Sequence, residues 1–182
     1  QDNYREGVDG LKTGTTELAG ASFVAHANEN GMSLITVVMN ADNGGEDEAA
    51  RFTATNELLD YVTQNWKIKT LNTKGQIVKK NDIKVADGDS QTISAKLESD
   101  LTVVQKINSK NDAVKIKAKT ITAPIKKDDT IGTATFDDKD LVGTGYISDP
   151  PQISVTANQS IKKSFFLKVW WNHIVNFFTG NK

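Results

Sequence analysis

The feature that most constrains the fold is a series of short β-like runs in the middle of the chain, spaced by about ten residues. Turn-forming residues separate the runs, as in residues 87–89 (DGD) and 127–129 (KDD). Short strands at this spacing are typical of an antiparallel sandwich. We therefore predict a small all-β sandwich domain over residues 63–148, with strands in residues 66–71, 76–85, 90–95, 101–107, 113–118 and 130–136.

An α+β segment is predicted ahead of the sandwich, over residues 1–62. Residues 8–14 are expected to form one strand, and residues 20–41 two more strands around a polar turn. Residues 34–39 are almost continuously apolar, which predicts a central strand covered on both faces. Residues 46–62 place acidic side chains in a first turn and apolar side chains on one face, which predicts a helix.

The predicted α+β segment leaves a sheet edge and a helix face without cover, so we expect it to need further chain for stability. The chain begins at Gln1 with neither an initiator methionine nor the charged and apolar regions of a signal peptide. Together these features favour a truncated protein, in which an N-terminal part of the same protein completes the first domain.

Two further segments are predicted after the sandwich. Residues 149–159 are polar and contain Pro150 and Pro151, which is typical of a linker. Residues 160–182 are predicted to form an amphipathic helix with four lysines and no acidic residue, which is typical of a helix on an anionic membrane surface. The helix is too polar to span a membrane, and docking on its own domain is the alternative. The apolar residues that share one arc, and that we expect to contact the membrane, are Phe166, Leu167, Trp170, Trp171, Ile174, Phe177 and Phe178.

Composition excludes several classes of function. The 22 basic and 23 acidic residues nearly balance, so no nucleic-acid partner is expected. The absence of cysteine excludes a disulfide framework, a thiol nucleophile and a cysteine-based zinc site. His26 is expected to pack or hydrogen-bond within its strand, and His173 lies on the polar face of the predicted helix, so no metal site is predicted. The acidic pairs at residues 128–129 and 137–138 lack the spacing of a calcium loop.

Three sequence features occur in an order that carries a resemblance. Residues 8–16 read VDGLKTGTT, and Lys-Thr-Gly accompanies S-x-x-K and S-x-N motifs in serine acyl-transfer enzymes. Residues 123–132 read APIKKDDTIG, which is similar to an API-K-x-G-D-x-x-G signature, and an aromatic, lysine-bearing tail follows. A lone Lys-Thr-Gly is more often a strand end before a turn. With all three features, the chain resembles the C-terminal half of a Gram-positive-like low-molecular-weight penicillin-binding protein, a serine-type D-alanyl-D-alanine carboxypeptidase.

The resemblance implies a fold and a reaction. The fold is an α+β fragment of a transpeptidase or β-lactamase-like domain, followed by the β-sandwich and the amphipathic helix. In the family, the serine of S-x-x-K attacks a peptidoglycan stem peptide ending in D-Ala-D-Ala, releases the terminal D-Ala, and is also acylated by β-lactam antibiotics. That serine and its lysine are expected upstream of this chain, so the chain alone is expected to be inactive. No cofactor is implied, and the location implied is the extracellular face of the cytoplasmic membrane.

The resemblance also implies roles for four residues of the Lys-Thr-Gly strand. Lys12 supplies positive charge beside the substrate carboxylate, and Thr13 donates its hydroxyl to that carboxylate. Gly14 lets the substrate backbone lie against the strand without an intervening Cβ. Thr15 contributes a backbone N–H to the oxyanion hole. A substrate that ends in a carboxylate needs such a combination of cation, hydroxyl donor and edge-strand amides.

One departure from the family pattern concerns an arginine. Some members place an arginine near the start of the helix after the active-site sheet, where it helps to bind the substrate carboxylate. Here residues 46–48 read EDE, and Arg51 lies one turn further on. We therefore expect carboxylate recognition to depend more on Thr13 and Lys12.

Two literal motif matches fail on context, because the family order along the chain is S-x-x-K, S-x-N, K-T-G. Ser160 begins an S-x-x-K match, but it is expected to be the N-cap of the terminal helix. Ser109 begins an S-x-N match within a predicted turn. The alternative to the enzyme is a non-enzymatic, membrane-associated β-sandwich interaction module in which the Lys-Thr-Gly strand is a relic.

Overall fold

The computed structural model describes residues 3–42, 47–79, 82–118, 120–143 and 145–165. The chain divides into two compact units. The first comprises Gln1–Lys69 and Val104–Lys110, and the second comprises Thr70–Val103 and Asn111–Lys182. The predicted domain boundary between residues 62 and 63 stays a prediction.

The first unit is built on an antiparallel hairpin sheet. Its strands β1 (Val8–Thr16), β2 (Gly20–Glu29) and β3 (Met32–Val38) lie in the order β1-β2-β3. Asn30 and Gly31, between β2 and β3, both have positive φ, at 52° and 77°. Two such residues form the tight turn that matches the twist of paired strands. The predicted pair of strands around a turn is thus confirmed.

One helix, α1 (Ala50–Asn65), packs against one face of this sheet. Leu59 of the helix is 1% exposed, and Ala25 and Ala27 on the covered face of β2 are equally buried. The rings of Phe23 and Phe52 meet edge to face, with centroids 5.2 Å apart. The small alanine side chains allow the helix to approach the sheet closely, so a short helix suffices to bury this face.

Arg5 ties the far end of the hairpin to the helix. Its Nε and Nη2 donate to the two carboxylate oxygens of Glu29, at 2.7 and 2.8 Å. Its Nη1 lies 2.8 Å from Asp60 Oδ1 on α1. The hydrogen bonds that Arg5 donates to Glu29, and then the one to Asp60, raise the pKa of Arg5 above its usual range, so the side chain stays charged.

Within the described residues, the strand predicted at residues 34–39 is covered on one face only, so the predicted cover on both faces is not observed. β3 is the last strand of its sheet in the described part of the chain, and Ile35 and Val37 are 69% and 58% exposed. Thr36 and Val38, which point the other way, are buried against the helix. Both faces of the strand carry apolar side chains. The sequence therefore lacks the alternation of polar and apolar residues that is typical of a strand covered on one face.

The rest of the chain is almost entirely β-structure, which confirms the prediction of a mostly β second half. Its strands are β4 (Trp66–Asn72), β5 (Ile83–Ala86), β6 (Thr92–Ile93), β7 (Ala95–Leu97), β8 (Leu101–Lys106), β9 (Val114–Lys117), β10 (Ile121–Thr122), β11 (Thr130–Phe136) and β12 (Gln152–Ala157). They form the sheets β10-β5-β6, β7-β12-β11-β9 and β4-β8. Side chains from the first two of these sheets and from Leu101 enclose one apolar core, in which Ile93, Leu97 and Val155 are at most 1% exposed.

The predicted linker at residues 149–159 is wrong for most of its length. Gln152–Ala157 forms β12, which lies between β7 and β11 in the four-stranded sheet. Val155 and Ala157 are completely buried. Pro151 lies immediately before the strand, where a missing backbone donor interrupts no ladder hydrogen bond. The prolines therefore mark the entrance to a core strand.

The predicted start of the terminal helix at residue 160 is also wrong. Ile161 is 2% exposed and pairs with Ile125 through two backbone hydrogen bonds of 2.9 Å. Ser160 is not a helix cap, because its Oγ accepts a hydrogen bond from the backbone N–H of Lys127 at 2.9 Å. The predicted membrane-contacting residues, from Phe166 to Phe178, lie outside the described residues. Within the described residues, no helix has the length and apolar character needed to cross a membrane.

The APIKKDDTIG segment, residues 123–132, forms a turn that binds the end of β12. Asp129 Oδ2 accepts the backbone N–H of Lys126 at 2.8 Å, which closes the turn. The backbone of Ala157 pairs with Asp128 and Asp129 on the other side. Asp128 has a φ of 73°, where the family signature has glycine. Its hydrogen bond from Lys96 holds the pKa of the Asp128 carboxyl below its usual range.

Gly132 is the last residue of this segment, and we expect its replacement to be destabilising. A Cβ at this position would lie 2.7 Å from the carbonyl oxygen of Lys117 on β9 and 3.0 Å from the Ala118 Cβ. We predict that Gly132→Ala lowers the free energy of unfolding by about 1–3 kcal/mol, because backbone atoms of β9 must move apart. Urea unfolding measures this change. Gly14→Ala is the control, since its Cβ would meet nothing within 4 Å, and an equal loss in both variants would contradict the prediction.

Candidate functional site

The Lys-Thr-Gly residues lie on β1, at the edge of the first sheet. β1 pairs with β2, with Lys12 opposite Val24 and Gly14 opposite Ser22. Among the described strands β1 has a neighbour on one side only. Its other edge presents backbone N–H and C=O groups, which is the arrangement that binds an extended peptide as an added strand.

The side chains of the motif alternate between the two faces of the sheet. Thr13 and Thr15 share the face of Phe23, which is covered by α1, while Lys12 and Gly14 share the opposite face. All four residues, Lys12 to Thr15, are exposed to solvent. The Lys12 ammonium donates to the carbonyl oxygen of Thr13. The strand thus presents a cation on one face and hydroxyl groups on the other, around one free edge.

Gly14 is not required by the fold of the described chain. Its φ lies outside the left-handed region, and an added Cβ would meet no heavy atom within 4 Å. Gly20, in contrast, has a φ of 60°, and its Cβ would lie 2.2 Å from Asn40 Oδ1. The open space beside Gly14 is therefore compatible with a ligand backbone that lies directly on the strand.

Arg51 is the site residue whose position the sequence analysis misjudged. The helix begins at Ala50, four residues later than predicted, so Arg51 lies in its first turn. The guanidinium donates from Nη1 to the carbonyl oxygen of Gly14 at 3.1 Å and from Nη2 to Thr15 Oγ1 at 3.0 Å. The structure thus brings an arginine into contact with the Lys-Thr-Gly strand. Arg51 could have been recognised if the helix start had been predicted at residue 50. The acidic residues at 46–48 led to an earlier predicted start, because acidic residues are favoured in a first helical turn.

The charge of Arg51 is almost completely buried, with 3% of the residue exposed. A buried cation is costly unless hydrogen bonds and an opposite charge compensate it. Besides the two contacts with β1, its Nη1 donates to the carbonyl oxygen of Ser22 at 3.4 Å, and its Nε to that of Glu48 at 2.7 Å. Glu48 Oε2 lies 3.0 Å from Nη2. These contacts also offset the unfavourable position of a cation at a helix N-terminus.

His26 forms hydrogen bonds across the three strands, as the sequence analysis expected. Its Nδ1 lies 2.6 Å from Asp9 Oδ1 on β1, and its Nε2 lies 2.9 Å from Ser33 Oγ on β3. The Asp9 carboxylate favours a proton on Nδ1, so in the neutral ring Nε2 accepts from the serine hydroxyl. The row of three side chains stabilises the strand register.

Among the described residues there is no cluster of three potential metal ligands.

The two rejected motif matches have structural roles. The backbone N–H of Ser109 donates to the Lys106 carbonyl oxygen at 3.0 Å, which closes a turn, and Asn111 Nδ2 donates to the Asp137 carbonyl oxygen at 2.7 Å. Ser160 and Lys163 lie in an extended segment that forms β-bridges to Gly88 and Ile125 of the same unit. An S-x-x-K nucleophile needs serine and lysine side by side on one helical turn, which this segment does not provide.

Two family models match the chain. One, described as D-alanyl-D-alanine carboxypeptidase, matches residues 2–43, which contain the Lys-Thr-Gly strand. The other, described as the C-terminal domain of penicillin-binding protein 5, matches residues 66–163, which contain the APIKKDDTIG turn. Both models therefore match parts of the chain on which the resemblance was based.

Individual relatives agree with these models. The D-alanyl-D-alanine carboxypeptidase DacF of Bacillus subtilis (strain 168) is 29% identical over 167 residues, which cover 90% of this chain and 40% of that protein. DacD of Escherichia coli (strain K12), a D-alanyl-D-alanine carboxypeptidase, is 33% identical over 140 residues, which cover 73% and 34%. The solved structure of a peptidoglycan synthesis regulatory factor (PBP3) from Streptococcus pneumoniae has a TM-score of 0.67 and 36% identity, covering 87% of this chain and 44% of that chain.

The chain thus spans 40% and 34% of the length of these two curated relatives. The resemblance to low-molecular-weight penicillin-binding proteins, inferred from three motifs, is confirmed. The roles of individual residues, from Lys12 to Thr15, stay predictions.

Arg51 is expected to be important for the stability of the first unit. We predict that Arg51→Lys lowers the free energy of unfolding by about 2–4 kcal/mol, because a lysine cannot replace the forked contacts with Gly14 and Thr15. Urea unfolding followed by circular dichroism measures the loss. Arg5→Lys is the comparison, since Arg5 also makes a forked contact, with Glu29, but its side chain is 21% exposed whereas that of Arg51 is 4% exposed. A larger loss for Arg5→Lys than for Arg51→Lys would contradict the prediction.

Proposed function

Because this chain belongs to the family of the penicillin-binding protein 5 C-terminal domain, we propose that it forms part of a D-alanyl-D-alanine carboxypeptidase. The substrate is a peptidoglycan stem peptide that ends in D-Ala-D-Ala. A serine attacks the penultimate carbonyl, the terminal D-Ala leaves, and water hydrolyses the acyl-enzyme. β-Lactams acylate the same serine.

The observation that supports the proposal is the set of charged and hydrogen-bonding groups that lie around the free edge of β1. Lys12 brings an exposed cation, and Thr13 brings a hydroxyl donor. Gly14 leaves open space on the strand, and Arg51 places a buried guanidinium against the same segment. A substrate with a terminal carboxylate and an extended peptide backbone matches each of these groups.

Each group has a distinct role in the proposed reaction. Lys12 offsets the substrate carboxylate, and Thr13 donates a hydrogen bond to it. The backbone N–H of Thr15 stabilises the oxyanion that forms when the serine attacks, and such a donor contributes about 10²–10³ in rate. Arg51 holds Gly14 and Thr15 in position and adds positive charge near the carboxylate. Gly14 admits the substrate backbone.

We propose that the nucleophilic serine and its lysine lie in the part of the relatives that this chain does not cover. The only S-x-x-K match in the sequence starts at Ser160, whose hydroxyl is engaged with Lys127 in the β-rich unit. By itself this chain is therefore proposed to be inactive.

The exposed face of the first sheet is evidence for a further part of the protein that packs against it. Ile35, Val37 and Met39 are between 58% and 73% exposed, on the side away from α1. A row of apolar side chains of this size is typical of a surface that packs against further protein. We propose that the part of the protein outside this chain packs on this face and brings the serine to the free edge of β1.

The chain's second proposed contact is a membrane surface. The aromatic and lysine-bearing tail, from Phe166 to Phe178, has the composition of a segment that binds an anionic bilayer surface. Together with a peptidoglycan substrate, this composition supports a peripheral location on the extracellular face of the cytoplasmic membrane. The non-enzymatic interaction module is not favoured, because the carboxypeptidase family model matches the Lys-Thr-Gly strand itself.

Labelling by a fluorescent penicillin tests the enzyme proposal in the complete gene product that carries this chain. We expect covalent labelling that Thr13→Val slows by about 10- to 100-fold, because the hydroxyl bonded to the ligand carboxylate is lost. Thr53→Val, at an exposed position of α1, is the matched control and should label at the parent rate. A complete product with an intact S-x-x-K that takes no label would rule out the proposal.

Liposome flotation tests the membrane proposal. Replacing both Trp170 and Trp171 with serine is expected to shift the protein from the liposome fraction to the soluble fraction, at least about tenfold, because two aromatic side chains no longer enter the interface. Ile147→Ser is the control, since Ile147 is fully exposed in the β-rich unit. Unchanged flotation of the double variant would count against the tail as the membrane contact.

A further inference from the structure

The N–H groups of Arg51 have partners of two kinds. Four contacts are with neutral acceptors, namely the carbonyl oxygens of Gly14, Ser22 and Glu48 and the hydroxyl of Thr15. The fifth is with the carboxylate of Glu48, at 3.0 Å from Nη2. A guanidinium has five donors, so these contacts use all of them. Within the described residues, Glu48 is the one anion paired with this cation.

The pair between Glu48 and Arg51 is strongly asymmetric in exposure. The Arg51 side chain is 4% exposed and fixed by backbone acceptors, whereas the Glu48 side chain is 67% exposed. Ion pairs with an exposed carboxylate contribute little to stability, because water solvates the anion nearly as well as the partner does. Glu48 can therefore leave Nη2 at low cost, while Arg51 stays in place.

The nitrogen that Glu48 occupies also touches the proposed substrate-binding strand. Nη2 donates to Thr15 Oγ1 and to Glu48 Oε2 at the same distance, 3.0 Å. An external carboxylate that binds this nitrogen therefore has to displace the Glu48 carboxylate. The two anions cannot share this donor without strong repulsion.

We propose that Glu48 is a built-in competitor that occupies the carboxylate position of Arg51 and determines how tightly an anionic substrate binds there. The inference rests on the proposed function, since it takes the substrate carboxylate as the ligand. Substrate binding moves the Glu48 carboxylate into solvent, and no covalent bond is made or broken in this step. Glu48 thereby selects for ligands whose carboxylate reaches Arg51 well enough to displace it.

The test measures acylation by benzylpenicillin in the complete gene product. Glu48→Gln is expected to raise the second-order acylation rate constant by about two- to fivefold at low salt, and by less at high salt, because an exposed competing charge is removed. Glu57→Gln removes the same charge from an exposed position of the same helix and should leave the rate constant unchanged. Glu48→Asp keeps the charge on a shorter side chain and should give an intermediate rate constant.

The methyl ester of benzylpenicillin separates competition from a general effect of charge. The ester lacks the carboxylate, so Glu48→Gln should not change its acylation rate. An equal gain with the ester would overturn the inference, and so would an unchanged or slower rate with benzylpenicillin at an unchanged unfolding temperature. The last result would mean that Glu48 positions Arg51. If the unsubstituted protein is not acylated at all, the proposed function fails, and the inference fails with it.

Discussion

The first unit depends on one buried cation. Arg51 joins the first turn of α1 to the backbone of β1 and β2 through Gly14 and Ser22. β1 has only one neighbouring strand in the described chain, so its outer edge has no ladder to hold it. The guanidinium compensates for this by fixing the strand from the covered face. β1 is thus anchored from the covered face, although its outer edge has no neighbouring strand in the described chain.

The sequence predicted those features that local chemistry determines. The hairpin between β2 and β3 follows from two residues that tolerate positive φ, Asn30 and Gly31, and needs no distant partner. The β-rich second half follows from the regular alternation of short runs and turns. The Lys-Thr-Gly strand could be located from its motif, and the predicted strand at residues 8–14 lies within β1. The motif is exposed on an edge strand of the described sheet.

Features that depend on contacts between distant residues could not be predicted. β12 was interpreted as a linker because its burial depends on β7 and β11, whose positions no local pattern reveals. Ile161 was assigned to a helix, although a β-bridge to Ile125 decides its conformation. Arg51 was placed one turn too far along, because propensity fixes a helix start poorly when several acidic residues precede it. In the first two cases tertiary contacts outweigh local preference.

The pairing of Ile161 with Ile125 has a mechanical consequence. Every residue from Phe166 onward is covalently connected to the β-rich unit through this short segment. A force applied to the tail therefore acts first on the backbone hydrogen bonds of Ser164 and Lys162 with residues 87 and 89, and then on the two bonds between Ile161 and Ile125. Because Ile161 is buried in the core, the load is then transmitted to the β-rich unit. The segment thus couples tension in the tail mechanically to the core of that unit.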